Sequence, residues 1–368
     1  MSFAEFYGNS DVVHRLREAL AKDRFPHGVI LAGPPGAGKY TLARMLAQAM
    51  NCLEQPRSGP GGGLPDFCGV CANCRRIGLA ADLDARFAEA VEARDGLRET
   101  DKKETRILIQ THPDVLVIPP DPPQMMVKVD QVRHVIGNIY YRPAEARERV
   151  YIFTSTAFMK EAANSLLKIL EEPPDFATLF LLAENPGALL PTIRSRCVTF
   201  TLAPLEAVEI ERDLATGHPE WTPAQRTLVA RLSGGAVGRA RSFDLASYTA
   251  ARGNALAVLA SALQGNDHSA LFKLTETYRA GADGREKTDL LLRTLYGLLQ
   301  DLLWVMEGTP ELVRNTDIAK DLAKLAQGAD FAWVQQAADG LGEVERGMRR
   351  NLLRSLSLDA FATALERA

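Results

Sequence analysis

Short apolar runs alternate with amphipathic stretches up to about Pro204. The apolar runs have the length and composition of buried β-strands and lie at 28–32, 115–118, 150–153, 179–183 and 198–202. Residues 159–171 instead place apolar side chains on one helical face, and Pro173-Pro174 then stops the helix. Such alternation predicts an α/β fold in which helices cover a sheet.

After Pro204 the strand signals end, and the chain is patterned as one helix after another. We therefore predict an α/β core at 1–203, a small helical lid at 204–247 and an all-helical domain at 248–368. No apolar run approaches the ~18 residues that a membrane span needs, and the first residues lack the pattern of an export signal. These features predict a cytoplasmic protein without a membrane contact.

Composition and charge exclude some broad classes. With 46% hydrophobic and 24% charged residues, the chain is expected to fold around real cores and not to be disordered. The 43 basic and 46 acidic residues give a net charge of −3, which excludes a basic surface over the whole chain. This net charge is still compatible with a local basic patch that binds nucleic acid.

A glycine-rich loop follows the first predicted strand and precedes a helical stretch. This order of elements is the one in which backbone N–H groups cradle phosphate, and it selects Gly33, Gly36, Gly38 and Lys39 as candidate nucleotide-binding residues. The next position, where such loops offer a hydroxyl to Mg²⁺, is Tyr40. Thr41 is rotated a further ~100° around the helix and is not expected to replace that hydroxyl. ATP or ADP bound without hydrolysis and a vestigial loop kept for its turn are both open.

Four of the five cysteines lie close together in the sequence, at Cys52, Cys68, Cys71 and Cys74. The two short spacings bring three thiolates to one ion, and the Pro- and Gly-rich loop at 56–65 allows the first cysteine to be the fourth ligand. Four sulfur ligands leave no open coordination position. The spacing predicts a structural Zn²⁺ site in a module at 52–74, with a labile disulfide or free thiols as the alternatives.

Residues 78–108 interrupt the α/β pattern with a stretch rich in Ala, Glu, Asp and Arg. Leu79, Leu83, Phe87 and Val91 recur every four residues, as in an amphipathic helix. A helical insertion that packs on its own domain is the simpler interpretation. An arm that binds a partner is the other.

Several motifs occur in a fixed order along the chain. They are the phosphate-binding loop, the four cysteines, His112-Pro113-Asp114, the run 164–174 and the run 190–197. In this order they resemble the clamp-loader branch of the AAA+ ATPases, and within it the delta-prime type of bacterial DNA polymerase III. The resemblance covers residues 1 to about 245 and does not include the insertion. It implies an AAA+ core followed by a lid and a helical collar.

The resemblance also identifies where this chain departs from an active ATPase. The acidic pair that would place Mg²⁺ corresponds to Thr154 and Ser155, and the lid arginine falls near Gly238, or at Arg239 if the alignment slips. Arg196, in Ser195-Arg196-Cys197, corresponds to the arginine finger that reaches a nucleotide on the next subunit. An arginine paired with a carboxylate of its own chain is the alternative for Arg196. Cys197 is expected to be a small buried residue and not a nucleophile.

The implied function is that of a non-hydrolysing stator subunit in DNA replication. Its implied partners are homologous ATPase subunits and a clamp-opening subunit in a hetero-oligomeric ring, with the sliding clamp and primer-template DNA reached through the complex. Three alternatives stay open: an ATP-hydrolysing gamma-type subunit, a nucleic-acid-binding protein that uses the cysteine module directly, and a P-loop kinase. The kinase accounts least well for the run 164–174.

Overall fold

The computed structural model describes residues 2–59, 63–264, 269–278, 282–350 and 352–366. The chain divides into two compact units. The first consists of Met1–Asp213 with Gly235–Arg239, and the second of Leu214–Gly234 with Ala240–Ala368. Residues 60–62 of the predicted cysteine module lie outside the described residues.

The strands of the first unit form a six-stranded sheet and a short hairpin. In chain order the strands are β1 (Gly28–Ala32), β2 (Arg57–Ser58), β3 (Leu64–Pro65), β4 (Ile109–His112), β5 (Val115–Ile118), β6 (Arg149–Phe153), β7 (Ala177–Ala183) and β8 (Val198–Thr201). The sheet has the order β4-β5-β6-β7-β1-β8, and β2 pairs with β3. Only β4 runs antiparallel to its neighbour within this sheet. The carboxyl ends of β1, β6 and β7 therefore meet at one edge.

The sheet has a core on each face because successive side chains of a strand point to opposite sides. Val29 and Leu31 of β1 join one buried cluster, whereas Ile30 and Ala32 join the other. The helices of this unit are α1 (Ser10–Ala21), α2 (Lys39–Asn51), α3 (Ala72–Gly78), α4 (Leu83–Asp95), α5 (Glu99–Glu104), α6 (Val129–Ile139), α7 (Lys160–Glu171) and α8 (Pro191–Arg194). Burial on both faces explains why the central strands are continuous apolar runs without alternation.

The insertion forms two short helices, α4 and α5, where the sequence suggested one amphipathic stretch. Leu83 and Phe87 are partly buried against the core of the first unit, whereas Leu79 is 64% exposed. Arg94 of α4 donates to the buried carboxylate of Asp121 at 2.7 Å. The insertion thus packs on its own unit through a few apolar side chains and an ion pair.

The second unit is helical throughout its described residues. Its helices are α10 (Pro223–Leu232), α12 (Leu245–Gln264), α13 (Ser269–Glu276), α14 (Ala282–Met306), α15 (Ala319–Gly328), α16 (Phe331–Arg349) and α17 (Arg354–Leu365), while α9 (Ala207–Gly217) and α11 (Val237–Arg241) cross the division. Leu291, Leu295, Leu298 and Leu302 of α14 are buried in its core. Within the described ranges, no helix combines the length and apolarity needed to span a bilayer.

Candidate nucleotide pocket, cysteine cluster and arginine

The predicted phosphate loop joins β1 to α2 as the sequence indicated. Gly36 and Gly38 have φ of 79° and 89°, a left-handed conformation that costs glycine little and other residues more. A Cβ atom at Gly36 would lie 2.8 Å from the backbone nitrogen of Arg239. The loop therefore needs glycine both for its backbone turn and for the close approach of α11.

A cavity of about 640 Å³ opens beside this loop at the carboxyl edge of the sheet. Gly36, Gly38 and Lys39 lie in its wall. Lys39 donates from Nζ to the carbonyl oxygens of Gly33 and Pro34, at 2.6 and 2.8 Å. Burial lowers the pKa of Lys39, and the charge of Glu184 acts in the opposite direction. Three of the four predicted loop residues thus line the cavity, and Gly33 contacts them through the hydrogen bond that its carbonyl accepts from Lys39.

Tyr40, which stands where such loops offer a hydroxyl to Mg²⁺, makes a structural hydrogen bond in this chain. Tyr40 donates its hydroxyl to the carbonyl oxygen of Ala80 at 2.5 Å, and burial raises the pKa of Tyr40 to about 12. Thr154 and Ser155, which stand where the resemblance places the acidic pair, lie in the cavity wall. Neither provides a carboxylate.

An acidic residue in the cavity wall was not predicted from the sequence. Glu184 follows the carboxyl end of β7 and brings a carboxylate to the cavity. Thr41 also lies in the wall, and the expectation that its hydroxyl does not replace the missing metal-binding hydroxyl stays a prediction. The rotation places it beside Tyr40 on the surface of α2 that still borders the cavity. The sequence feature that could have identified Glu184 is its place as an acidic residue directly after the apolar run of β7.

The lid segment meets the loop through a glycine. Gly238 lies in the cavity wall and donates its backbone N–H to the carbonyl oxygen of Gly36 at 2.9 Å. A Cβ atom at Gly238 would lie 2.8 Å from that oxygen. Of the two positions predicted for the lid arginine, Gly238 and not Arg239 therefore lies in the cavity wall. A side chain at Gly238 would disturb its contact with Gly36.

The four clustered cysteines come together in space. Their sulfur atoms all lie within 4.8 Å of one another. Cys52 directly follows α2, while Cys71 caps α3 and Cys74 lies in its first turn. Tetrahedral sulfur ligands at ~2.3 Å from a zinc ion are ~3.8 Å apart, so the donor set suits such an ion after small adjustments. The prediction that these residues form one cluster is confirmed.

Backbone hydrogen bonds to the sulfur atoms oppose the effect of burial, and at Cys71 they favour the ionised form. The backbone N–H of Cys68 donates to Sγ of Cys52 at 3.3 Å, and that of Cys71 donates to Sγ of Cys68 at 3.2 Å. Burial alone would raise the pKa of Cys71, but hydrogen bonds from the backbone and from neighbouring cysteines lower it to about 7. Burial raises the pKa of Cys74. Thiolates are the form that metal ions bind, and a cation here would favour all four.

The loop at 144–148 connects this cluster to the sheet. Asp114, at the turn between β4 and β5, accepts backbone N–H bonds from Ala144, Glu145 and Ala146 at 2.8, 2.8 and 2.9 Å. Arg147 then donates to the carbonyl oxygens of Met50 and Cys52. The His112-Pro113-Asp114 motif therefore has a structural role, because its carboxylate fixes the loop that holds the end of α2.

Arg196 lies at the edge of the sheet opposite the cavity. It precedes β8, which is parallel to β1, and a Cβ atom at Gly28, the first residue of β1, would lie 3.2 Å from the Arg196 carbonyl oxygen. The loop at 33–38 instead follows the last residue of β1. Because of this placement, Arg196 is not in a position to serve the cavity of its own chain.

The Arg196 guanidinium has partners within the chain. Its Nη2 donates to Oε1 of Glu171 at 2.8 Å, and its Nη1 donates to the carbonyl oxygen of Thr192 at 2.9 Å. The alternative of a local ion pair is therefore observed, and it leaves 34% of the Arg196 side chain exposed. Next to it, burial raises the pKa of Cys197 to about 12, which fits an unreactive thiol.

Comparisons with known proteins place the chain in a family. Residues 8–206, more than half of the chain, match the family described as "DNA polymerase III, delta subunit". The chain is 29% identical over 269 residues to DNA polymerase III subunit tau of Escherichia coli K12, a match that covers 72% of this chain and 36% of that protein. It is 31% identical over 196 residues to subunit gamma/tau of Mycobacterium tuberculosis H37Rv, covering 53% and 27%.

The chain thus spans well under half the length of these two relatives. Among solved structures, a gamma subunit-related protein of Thermotoga maritima is 18% identical, with a TM-score of 0.43 over 97% of this chain and 99% of that one. The clamp loader delta protein of Bacillus subtilis has a TM-score of 0.33 over 97% and 100%. From the family match, this chain belongs to the DNA polymerase III delta-subunit family.

Proposed function

We propose that the chain is a non-hydrolysing stator of the delta-prime type in a bacterial DNA polymerase III clamp loader. In this role it stands in a ring beside homologous ATPase subunits and a clamp-opening subunit, and the ring loads a sliding clamp onto primed DNA. Residues 1–203 form the AAA+ core, 204–247 the lid and 248–368 the collar that joins the ring. The family membership supports the complex, and the pocket supports the role within it.

The composition of the cavity wall carries the proposal. Thr154 and Ser155 offer no carboxylate where Mg²⁺ would be held, and the Tyr40 hydroxyl is committed to a backbone carbonyl. Loss of charge stabilisation at a phosphoryl-transfer site typically costs ~10³-fold in rate. Gly33, Gly36, Gly38 and Lys39 still provide a cradle that can hold ATP or ADP without turnover.

The placement of Arg196 supports a role in trans. The guanidinium is partly exposed at the edge opposite its own cavity, so a nucleotide phosphate that it contacts would belong to another molecule. Its planar, permanently charged fork suits a phosphoryl group that gains charge in the transition state. In the proposed ring, Arg196 contacts the γ-phosphate bound by the adjacent ATPase subunit and stabilises that charge.

The test is the ATPase rate of the reconstituted complex with Arg196→Ala in this chain only. An arginine finger is worth roughly 10³-fold or more at the site it serves, so turnover at that one site should be lost. Arg194→Ala, at an exposed arginine two residues earlier, is the matched control and should keep the wild-type rate. Unchanged turnover with Arg196→Ala would contradict the role in trans.

The four clustered cysteines are proposed to hold a structural Zn²⁺. Four sulfur ligands complete a tetrahedral shell, so the ion has no position for a substrate. The ion would join the end of α2, at Cys52, to the start of α3. Metal analysis of the purified chain tests this directly, with about one zinc per chain as the expected result.

An ATP-hydrolysing gamma-type subunit is the second candidate. It is favoured by the tau and gamma names of the relatives and by Thr41 and Glu184 in the cavity wall, which bring a hydroxyl and a carboxylate to the site. If the chain hydrolyses ATP, Thr41→Val and Glu184→Gln should each abolish the activity. The stator proposal expects no activity for them to remove.

A further inference from the structure

The proposed finger is held by a carboxylate at the end of a neighbouring helix. Glu171 is the last residue of α7, and its Oε1 lies 2.8 Å from Nη2 of Arg196. The Thr192 carbonyl oxygen accepts from the other arm of the guanidinium at 2.9 Å. Both members of the ion pair are partly exposed, with 34% of the Arg196 side chain and 51% of the Glu171 side chain accessible. The contact can therefore break and re-form without unfolding.

Any phosphate that reaches Arg196 must compete with Glu171. Carboxylate and phosphate oxygens use the same forked donors of a guanidinium, and both engage it through charge-assisted hydrogen bonds. When an incoming phosphate withdraws Nη2, the carboxylate of Glu171 exchanges its partner for water. This exchange costs little free energy because about half of the Glu171 side chain is already exposed to water.

The magnitudes determine the outcome of this competition. An exposed ion pair shifts an equilibrium by at most about fivefold. An arginine finger contributes ~10³-fold or more to phosphoryl transfer, so Glu171 does not block its engagement. Instead, the strength of the ion pair sets the concentration of triphosphate at which the Arg196 guanidinium moves from Glu171 to the phosphate.

We propose that Glu171 is a positioning residue for Arg196. It holds the Arg196 guanidinium in an ion pair, here called the parked state, when no triphosphate faces it, and it competes with the neighbouring subunit's γ-phosphate for the guanidinium. This inference rests on the proposed role of Arg196 in trans. In the parked state the arginine is neutralised and ordered at the ring interface. Binding of ATP, and not of ADP, by the adjacent subunit offers the γ-phosphate that displaces the carboxylate.

The reconstituted complex with Glu171→Gln in this chain tests the competition through the ATP dependence of turnover. We expect KM for ATP to fall by about two- to fivefold while kcat changes by less than twofold, because the competitor is weakened and the finger is intact. Glu172→Gln removes the same charge one residue later and should leave KM unchanged. Glu171→Asp keeps the carboxylate and should restore most of the wild-type KM. In an Arg196→Ala background, Glu171→Gln should have no effect.

Nitrogen NMR of the arginine side chains in the full, isolated chain provides a readout that is independent of turnover. Loss of the ion pair in Glu171→Gln should speed solvent exchange of the Arg196 guanidinium hydrogens, with Arg196→Lys identifying the signal. If Arg196→Ala lowers turnover but Glu171→Gln leaves or raises KM, the parking role is wrong while the finger stands. If Arg196→Ala has no effect on turnover, the proposed function fails, and the parking role fails with it whatever the exchange rates show.

Discussion

Replacement of Asp114 should destabilise the first unit of the chain. Its carboxylate is buried and accepts three backbone N–H bonds from the loop at 144–148, and Arg149 lies 3.6 Å away. Asp114→Ala removes all of these acceptors. Hydrogen bonds to a charged group contribute ~1.5–3 kcal/mol each, but Ala144 and Glu145 are exposed and their amides can regain water. We therefore expect a loss of about 3 kcal/mol, and about half of that for Asp114→Asn, which keeps one carbonyl acceptor.

Urea unfolding followed by two probes tests this estimate and where it acts. The three tryptophans, Trp221, Trp304 and Trp333, all belong to the second unit, so their fluorescence reports on that unit. Far-UV circular dichroism reports on both units. Asp114→Ala should shift the dichroism transition of the first unit and leave the fluorescence transition in place. Asp175→Ala, at an exposed aspartate, is the control and should stay within ~0.5 kcal/mol. A loss below 1 kcal/mol for Asp114→Ala would refute the reasoning.

Three further predictions concern the metal, the loop helix and the second unit. The purified chain should contain about one zinc per chain by mass spectrometry, and Cys71→Ser should lose it on brief exposure to a chelator; zinc retained by the variant would contradict the cluster's role. Tyr40→Phe should cost about 1 kcal/mol in urea unfolding, since it removes the bond to Ala80. Because burial raises the folded-state pKa of Tyr40 to about 12, its contribution to stability is present below pH ~10 and is lost as the pH rises toward 12, so the wild type should lose more stability than the variant, which keeps other buried tyrosines such as Tyr248. Arg252→Gln should cost about 2 kcal/mol and shift the tryptophan fluorescence transition, because it breaks two contacts of 2.7 and 2.6 Å with Asp317.

Local patterns predicted much of the core. The strands 28–32 and 115–118 have their observed bounds, and the helix expected at 159–171 spans Lys160–Glu171. These segments are fixed by burial on both faces of a sheet or by one apolar face of a helix, and both leave a periodic trace in the sequence. The convergence of the cysteines was also predictable, since two of the spacings are short and the third crosses a loop rich in glycine and proline.

Features that depend on strand order could not be predicted in the same way. Glu184 reaches the cavity because β7 lies beside β1 in the sheet, and the local sequence does not show which strands are neighbours. The short edge strand β4 was missed because Ile109–His112 contains three polar residues and is only four residues long. The role of Asp114 depends on a loop thirty residues later in the chain. Leu79 was grouped with Leu83 by spacing, yet a turn separates them and leaves Leu79 exposed.

The role of Arg196 stays a prediction from the resemblance, with its placement in support. The sequence offered two interpretations, a finger for another subunit and a pair with a local carboxylate. The structure shows the pair with Glu171 in the single chain. The two are compatible if the local pair is the resting state of the finger, which is the basis of the parking proposal.

The most direct test of the account is phosphate release by the isolated, full-length chain with ATP and Mg²⁺. Thr154, Ser155 and Tyr40 leave the metal without the ligands of an active site, so no release above a buffer blank is expected. The same preparation, added to its ATPase partners, should raise the turnover of the complex through Arg196. Steady release of phosphate by the chain alone, abolished by Glu184→Gln or Thr41→Val, would contradict the stator role and establish the gamma-type alternative.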